Sequence, residues 1–531
     1  MGDRGTFAKV KEEFIREESE WTVKAEDEED APKHHTGFKK RGKMMKQLSE
    51  APDFSTQLCN KTKRGDECSF GEKCKYSHDV TQYLNTRQPD LPGTCPVLKA
   101  RGSCPMGYTC RFVGSHLTQA EFQTPAEDAI QGEHQRVFLS KLRERTYEFT
   151  GEHIRTEGKR PLDLTGKVYV APLTTVGNLP FRRCLVDLQC DITCGEMALA
   201  YQLLRGIPSE WALLKKHTSE TTFGVQIACS KTEEAAQVME LVSREFPEVD
   251  FVDLNLGCPV DDVTEHGAGS ALLRRPAKLQ AIVQAASKAA PGLNLGLKMR
   301  TGWEDDKKVA HKLIAGLGDN ADRMVCYLMV HGRSRLQRYS KTANWEYIAT
   351  ECAPAAKLQN IQFAGNGDIL SYKDWLRATT SRLEGGLMDP DAPIATALIG
   401  RGALIKPWLC TEIKERRVWD IAATERLDIV KNFANYGLEH WGSDQRGVDT
   451  TRRYLLEWLS FAHRYVPVGI CEEGYEQQMN HRPPSVFVGR NELETLLSSP
   501  NSADWEKIAE MFLGKPAEGY RFVPKHKANA W

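Results

Sequence analysis

Short runs of apolar residues alternate with amphipathic stretches between residues 167 and 402 of this chain. The runs have the length of buried strands, and the stretches 232–244 and 276–289 carry apolar residues at helical spacing. The candidate strands span 167–172, 191–196, 223–228, 249–256, 293–299, 324–330, 361–366 and 395–400. Eight strands that alternate with helices predict an α/β fold, a (β/α)8 TIM barrel. A doubly wound sheet shows the same alternation with fewer strands, so the strand count favours the barrel.

The regions that flank the predicted barrel have different patterns. The N-terminal region is rich in charge, which favours disorder because little apolar area is available to offset chain entropy. Beyond the barrel, 449–465 has apolar residues at helical spacing, and Ser502 and Gly514 suit the N-cap and the end of another helix. The predicted organisation is a disordered charged tail (1–54), two cysteine-rich units (55–117), a helical connector (118–162), the barrel (163–418) and a helical domain (419–531).

Composition narrows the class of protein. The chain has 531 residues, a net charge of −1 and 15 cysteines. No apolar run reaches the ~18 residues that a bilayer-spanning helix needs. The N-terminus lacks the apolar core of a secretion signal, and its acidic residues argue against a mitochondrial leader. We therefore expect a protein of the cytoplasm, the nucleus or both, with no membrane contact, no obligate protein partner, and cysteines that are reduced or bind metal.

The cysteine-rich region contains two sets of potential zinc ligands. Cysteine and histidine follow each other as C-x8-C-x5-C-x3-H in the first set and as C-x8-C-x5-C-x5-H in the second. Three thiolates and one imidazole make a closed tetrahedral zinc site, whose binding energy can fold a segment this short. The longer last spacing makes the histidine of the second set a less regular ligand. The predicted ligands are Cys59, Cys68, Cys74 and His78, then Cys95, Cys104, Cys110 and His116.

Both cysteine units also offer aromatic side chains to a nucleic acid. Phe70 and Tyr76 stand among lysines in the first unit, and Tyr108 and Phe112 occupy the second. Flat rings beside positive charge suit single-stranded RNA, whose bases stack and whose phosphates need cations. A purely structural zinc knot is the alternative interpretation.

Polar side chains follow several of the predicted barrel strands. These are Cys258 after the fourth strand, then Lys298, His331, Asn366 and Arg401 after later ones. Each has an ordinary explanation by itself, but strands of a barrel all end at one mouth, so the five should meet there. A cation beside glycine-rich turns suits a flavin and its phosphate. No glycine cluster matches the dinucleotide fingerprint, so we expect a mononucleotide flavin and no separate Rossmann domain.

The motifs at these positions resemble those of a known family. They include APLTTVGNLPFRR (171–183), DLNLGCPVDDV (253–263), KMRTGW (298–303), HGRSRLQRYS (331–340) and TRRYLLEWLSFAHRYVPVG (451–469). With these motifs and the cysteine units, the chain resembles the eukaryotic tRNA-dihydrouridine synthase family, in particular its zinc-finger branch. The resemblance covers nearly the whole chain outside the charged tail.

The resemblance implies an enzyme and assigns roles to its residues. It implies FMN-dependent reduction of a tRNA uridine to 5,6-dihydrouridine at position 47 of the variable loop, with NADPH or NADH as reductant. Messenger RNA is a possible second substrate. Cys258 is implied as the proton donor. The implied FMN residues are Pro172, Leu173, Thr174, Gln226, Lys298, His331, Asn366, Gly367, Asp368, Gly400 and Arg401. The implied substrate contacts are Asn255, Arg333, Arg452 and Arg453.

The implied mechanism passes hydride from the reduced flavin to carbon 6 of the uracil, while Cys258 protonates carbon 5 from the opposite side. Two alternatives remain at the level of the residues. A small-molecule FMN oxidoreductase of the dihydropyrimidine type would share the flavin site but leaves the zinc ligands without a purpose. A non-catalytic CCCH RNA-binding protein would use the zinc units but leaves the polar strand ends unexplained.

Overall fold

The computed structural model describes residues 8–16, 57–123, 126–151, 162–337, 341–472 and 486–525. Ten strands occur in these residues: β1 (Ile15–Arg16), β2 (Ile192–Cys194), β3 (Ala198–Leu199), β4 (Thr222–Ala228), β5 (Phe251–Leu256), β6 (Asn294–Arg300), β7 (Tyr327–His331), β8 (Gln362–Asn366), β9 (Thr396–Leu398) and β10 (Val486–Phe487).

Strands β2 and β4 to β9 form one parallel sheet in chain order, and β3 adds a second short pairing to β4. The sheet closes through the first predicted strand, because Tyr169 pairs with Ile192 and Val170 pairs with Ile399. Across this seam the N–H of Ala171 donates to the carbonyl of Ile399 at 2.8 Å. Closure on both sides distinguishes a barrel from an open doubly wound sheet. The predicted (β/α)8 barrel is therefore confirmed.

Aromatic side chains fill the lower part of the barrel. The Phe251 ring lies 5.8 Å from the ring of Tyr327, in an edge-to-face arrangement. Neighbouring strands make room for them with glycine. A Cβ on Gly224 would lie 2.0 Å from the Phe251 ring, and one on Gly296 would lie 1.9 Å from the Tyr327 ring. The barrel is thus packed below, which leaves its C-terminal mouth for a ligand.

Helices surround the barrel and continue after it. The predicted helices near 232–244 and 276–289 are present as Thr232–Glu245 and Pro276–Ala289. The remaining α-helices of six or more residues are Val80–Thr86, Pro96–Arg101, Ala126–Glu144, Leu179–Asp187, Ala310–Ala315, Ala353–Leu358, Tyr372–Thr379, Leu409–Glu415, Ala423–Trp441, Gln445–Ala462, Glu492–Leu497 and Ser502–Leu513. Among the described helices, none has both the length and the hydropathy required to cross a bilayer.

The helical domain packs directly on the barrel. The indole N–H of Trp458, in Gln445–Ala462, donates to the carbonyl of Leu404 at 3.0 Å. Arg183 forms an ion pair with Glu439 at 2.6 Å across the same boundary. These contacts fix the helical domain beside the strands that bear the last two glycine-rich turns.

Part of the predicted disordered tail is ordered. Residues 8–16 pack on the helical domain, and β1 pairs antiparallel with β10. The two-stranded ribbon was not predicted: β1 lies in the segment predicted to be disordered, and β10 lies in the domain predicted to be helical. Residues 1–7 and 17–54 of the predicted tail lie outside the described part of the chain.

Candidate active site and metal centres

A cavity of about 390 Å³ opens at the C-terminal ends of the barrel strands. The predicted site residues in its lining lie on, or directly after, seven of the eight predicted strands, which are far apart in sequence. Each residue predicted to hold the flavin lines this cavity, and so do the predicted proton donor and Asn255. The lining includes Pro172, Leu173, Thr174, Gln226, Asn255, Cys258, Lys298, His331, Asn366, Gly367, Asp368, Gly400 and Arg401.

The loop that carries Cys258 is held by hydrogen bonds from both sides. Asn255, on β5, accepts the N–H of Cys258 at 2.7 Å and that of Gly257 at 3.1 Å. On the other side, Nε of Arg300 donates to the carbonyl of Gly257 at 2.8 Å. The thiol is therefore carried by a fixed backbone. Burial raises the pKa of the Cys258 thiol above its ordinary value, which keeps it protonated at neutral pH.

A buried carboxylate begins a hydrogen-bond chain towards that loop. Asp253 accepts the side-chain N–H of Gln226 at 2.5 Å, and Gln226 accepts the amide of Asn255 at 2.7 Å. Register explains the first contact, because Asp253 and Gln226 are paired residues of β5 and β4. Burial raises the pKa of Asp253 to about 6. Asp253 was not predicted from the sequence, because the pattern of a strand gives no sign that an inward-facing position is charged.

Lys298 lies on β6 and projects into the cavity. Its ammonium donates to Oδ1 of Asn366 at 3.3 Å, and the Asn366 amide donates to the carbonyl of Leu398 at 3.0 Å. Burial lowers the pKa of Lys298 to about 8, although the nearby charge of Asp253 opposes the shift. The side chain is therefore a cation at neutral pH, held in one orientation by a hydrogen-bond chain that joins β6, β8 and β9.

His331 ends β7 among four positive groups. Burial lowers the pKa of His331 well below its ordinary value, and the charges of Arg300, Lys298, Arg333 and Arg401 add to the effect. The imidazole is therefore neutral. Its buried Nδ1 has no hydrogen-bond partner within the described residues. A buried polar atom without a partner is costly, so this nitrogen suits a ligand that enters the cavity.

The turn after β8 has an unusual backbone. Gly367 has a φ of +130° and a Cβ there would lie 2.5 Å from that of Ala343, so the position requires glycine. Asp368 follows with a φ of +53°. Its carboxylate lies 3.3 Å from the guanidinium of Arg401 and accepts the N–H of Ala343 at 2.7 Å. The turn thus brings a cation and open backbone together at the edge of the cavity.

Two predicted substrate contacts are buried instead. Arg333 is 1% exposed and forms an ion pair with Asp368 at 2.7 Å. Arg452 is also 1% exposed, and it donates to the carbonyls of Leu513 and Gly514 at 2.8 Å and 2.7 Å. Neither guanidinium is on the surface, so their predicted direct contact with RNA does not fit this structure. Arg453, the next residue, is exposed.

The helical domain contributes a wall of the cavity that the sequence did not predict. Phe461, from Gln445–Ala462, lines it together with Leu404 and with Met197, which lies in the turn after β2. An apolar residue on a helical face looks like ordinary core in sequence. The contribution of Phe461 depends on how the two domains dock, which no local pattern encodes.

Both predicted zinc ligand sets are assembled. Within each set of four residues, the sulfur and nitrogen ligand atoms all lie within 4.8 Å of one another. The second set includes His116, so the longer spacing still closes the site. Three sulfurs and one imidazole nitrogen at these separations fit a tetrahedral zinc ion.

The two units differ in what surrounds the metal site. In the first, Phe70 is 70% exposed and Tyr76 is also exposed. In the second, Phe112 is only 5% exposed, and the Tyr108 ring packs on Phe122 at 5.0 Å. The prediction that Tyr108 and Phe112 form an RNA-facing pair is therefore wrong for Phe112, because the second unit uses that ring for packing.

The second unit is docked on the helical domain. The hydroxyl of Ser443 is buried and lies 3.2 Å from the sulfurs of both Cys104 and Cys110. The backbone N–H of Arg111 also donates to the carbonyl of Ser443 at 2.8 Å. The metal site therefore lies within an interface between the second unit and the helical domain.

Two family models match this chain. The model described as dihydrouridine synthase (Dus) matches residues 169–463. The model described as the DUS3L CCCH zinc finger domain matches residues 55–86 and 88–119. The first match covers the barrel strands and the helical wall of the cavity, and the second covers both metal centres.

Curated relatives match over most of the chain. A protein of Xenopus laevis named tRNA-dihydrouridine(47) synthase (NAD(P)+)-like is 42% identical over 90% of this chain and 79% of its own length. The human protein of the same name is 41% identical over 88% of this chain and 79% of its own length. A protein of Meyerozyma guilliermondii named tRNA-dihydrouridine(47) synthase (NAD(P)+) is 37% identical over 100% of this chain and 96% of its own length.

Proposed function

The chain belongs to the dihydrouridine synthase family, and from that membership and the cavity we propose that it reduces one uridine of tRNA to 5,6-dihydrouridine. The family is flavin-dependent and uses NAD(P)H. The observation that carries the proposal is the cavity itself, which places the Cys258 thiol, the Lys298 ammonium and the Arg401 guanidinium around one space.

FMN is the flavin that we propose for this cavity. Arg401 and the open backbone of Gly367 and Gly400 suit a single phosphate, and the unpartnered Nδ1 of His331 suits a polar atom of the ligand. Lys298 would lie against the pyrimidine edge of the ring, where a cation stabilises negative charge. Bound there, FMN would supply hydride to carbon 6 of the uracil after reduction by NADPH.

Cys258 supplies the proton in this proposal. A thiol must be protonated to act as an acid, and burial favours that state by raising the pKa. Asn255 and Arg300 hold the loop on two sides, so Sγ keeps its position while carbon 5 of the uracil accepts the proton.

The uridine must leave the tRNA stack to reach Cys258. The thiol lies inside the mouth of a barrel, where a stacked base in a folded tRNA has no access. Extrusion of a base costs a few kcal/mol, which contacts with the rest of the tRNA must offset. The exposed aromatic residues of the first zinc unit and the exposed Arg453 are suited to such contacts.

We propose that the reduced uridine is the one at position 47, because the names of the relatives specify that position. A small-molecule flavoenzyme is disfavoured because two assembled zinc sites accompany the cavity. A non-catalytic RNA-binding protein is disfavoured because a polar cavity with a buried lysine has no purpose in it.

The test is a map of dihydrouridine in tRNA from cells with and without the protein, paired with the purified enzyme. We expect a yellow protein that oxidises NADPH and restores dihydrouridine at position 47 of tRNA from the deletion strain. A colourless preparation, or tRNA that stays unmodified at every uridine, would rule the function out. Modification at another position would correct only the site.

A further inference from the structure

Three residues from successive loops form a cluster beside the mouth of the cavity. Cζ of Arg335 lies 4.4 Å from the ring centroid of Trp303, and Cζ of Arg274 lies 5.1 Å from it. Both distances are within cation–π range. Trp303 lies three residues beyond β6 and Arg335 four residues beyond β7, so the cluster lies on the face where the strands end.

The cluster is joined to the loop that carries the thiol. Arg335 forms an ion pair with Asp261 at 2.5 Å, and Asp261 begins the short helix that follows Cys258 and Pro259. On the other side, Arg300 holds the carbonyl of Gly257 and lies three residues before Trp303. The cluster is therefore attached on two sides to the loop that carries the Cys258 thiol.

Positive charge at the cluster exceeds what its carboxylates neutralise. Arg274 is exposed and forms no ion pair with any described residue. The first two carboxylates after Trp303 are engaged elsewhere, since Glu304 pairs with Lys307 and Asp305 with Lys341. The indole ring thus keeps a free guanidinium in place beside the one paired with Asp261.

Two exposed apolar side chains flank the same loops. Val260, two residues after Cys258, is 55% exposed, and Leu336, next to Arg335, is 50% exposed. The N–H of Leu336 donates to the carbonyl of Trp303 at 3.3 Å, which fixes it to the cluster. Apolar surface beside a held guanidinium fits a nucleotide, whose base needs a contact face and whose phosphate needs a cation.

We propose that Trp303, Arg274 and Arg335 form a clamp for the RNA backbone next to the reduced uridine, with Val260 and Leu336 against the neighbouring base. Extrusion of the uridine removes its stacking on that neighbouring base, which costs free energy. Contacts of the clamp with the phosphate and the neighbouring base would offset this cost. This inference rests on the proposed function, since it deepens how that site takes tRNA.

Arg274→Ala tests the clamp in the full-length, FMN-loaded protein. We expect the slope of log affinity for tRNA against log salt concentration to decrease by about 1, as for the loss of one phosphate contact. We also expect KM for tRNA to rise roughly tenfold, as for loss of one charged contact, with NADPH oxidation in the absence of tRNA unchanged. Arg274→Lys keeps the charge and should keep the wild-type salt slope. Trp303→Ala should raise KM, and Trp303→Phe, which keeps a ring, should restore it in part.

Arg323→Ala is the matched control. Arg323 is also exposed but belongs to Ala321–Met324, which precedes β7 and thus lies at the opposite end of the barrel. If Arg274→Ala and Arg323→Ala give the same salt slope and the same KM, the clamp is wrong. If the wild-type protein neither binds nor reduces tRNA, the proposed function itself fails, and the two outcomes cannot be confused.

Discussion

Uridine reduction should depend most directly on one residue, the proposed proton donor Cys258. Cys258→Ala removes the acid but leaves each cavity residue that is predicted to contact the flavin. We expect the protein to remain yellow and to oxidise NADPH, while uridine reduction falls by at least ~100-fold, the lower range for loss of a proton donor. Single-turnover assays with tRNA measure the loss. Undiminished turnover would show that another group donates the proton.

The pH dependence of turnover follows from the state of that thiol. A donor acts only while protonated, and burial raises the pKa of Cys258 above its ordinary value. Ionisation of the donor should therefore leave the tRNA-dependent step unaffected through neutral pH and slow it only in alkali, beyond the range where an exposed cysteine ionises. Loss of the charge of Lys298, whose pKa is about 8, should cause an earlier decline that Cys258→Ala does not remove from NADPH oxidation. A rate profile from pH 6 to 10 in single-turnover mode tests this, and a decline already near pH 7 would contradict it.

Asp253 is a residue whose importance only the structure shows. Asp253→Asn keeps the shape but removes the negative charge that supports the buried Lys298 ammonium. We expect the pKa of Lys298 to fall below about 8, with roughly tenfold weaker flavin binding as the cation is lost. Asp250→Asn is the control, because Asp250 lies just before the same strand and pairs with Lys216 instead. Equal flavin affinity in the two variants would count against the role of Asp253.

The polar residues at the strand ends could be predicted from the sequence, but the groups that they contact could not. Cys258, Lys298 and His331 were predictable because parallel strands of a barrel end at one mouth. Arg452 was misjudged because a basic residue in a helix looks the same in sequence whether it faces RNA or carbonyl groups. Here it binds the end of Ser502–Leu513.

At the scale of elements, regular patterns were predicted well and irregular ones were not. The helix Pro276–Ala289 has the predicted bounds, since its apolar spacing and its first proline are local signals. The last helix begins one residue away from expectation: Asn501 is the N-cap and Ser502 is the first helical residue. The β1–β10 ribbon was missed because its two strands lie far apart in sequence and are two residues each.

The first zinc unit is the element that we expect to touch RNA through its rings. Phe70→Ala together with Tyr76→Ala removes two exposed faces without loss of a zinc ligand. Each stacked base is worth about 1–3 kcal/mol, so tRNA affinity should fall at least fivefold while zinc content stays at wild type. Leu383→Ala, at an apolar side chain that is even more exposed, is the control. Unchanged affinity, measured by filter binding, would remove RNA stacking from this unit.

At the scale of the whole molecule, the two metal sites have different surroundings and should have different functions. The first carries an exposed aromatic surface, whereas the second lies against Ser443 at an interface with the helical domain, which also supplies Phe461 to the cavity. Cys68→Ser and Cys104→Ser each remove one ligand, one from each site, by the same substitution. Cys68→Ser should reduce tRNA affinity and leave flavin binding and the melting temperature near wild type.

Cys104→Ser should instead destabilise the folded protein, because the loss of zinc leaves buried thiols and the Ser443 hydroxyl in a loosened interface. A domain of about 150–250 residues loses about 2–4 °C of melting temperature for each kcal/mol, so the fall is measurable by calorimetry. Flavin should dissociate more readily, since the helical wall of the cavity depends on that interface. The division of roles would be wrong if the two variants lost stability and tRNA affinity in the same proportion, because one metal site would then be as much a part of the enzyme body as the other.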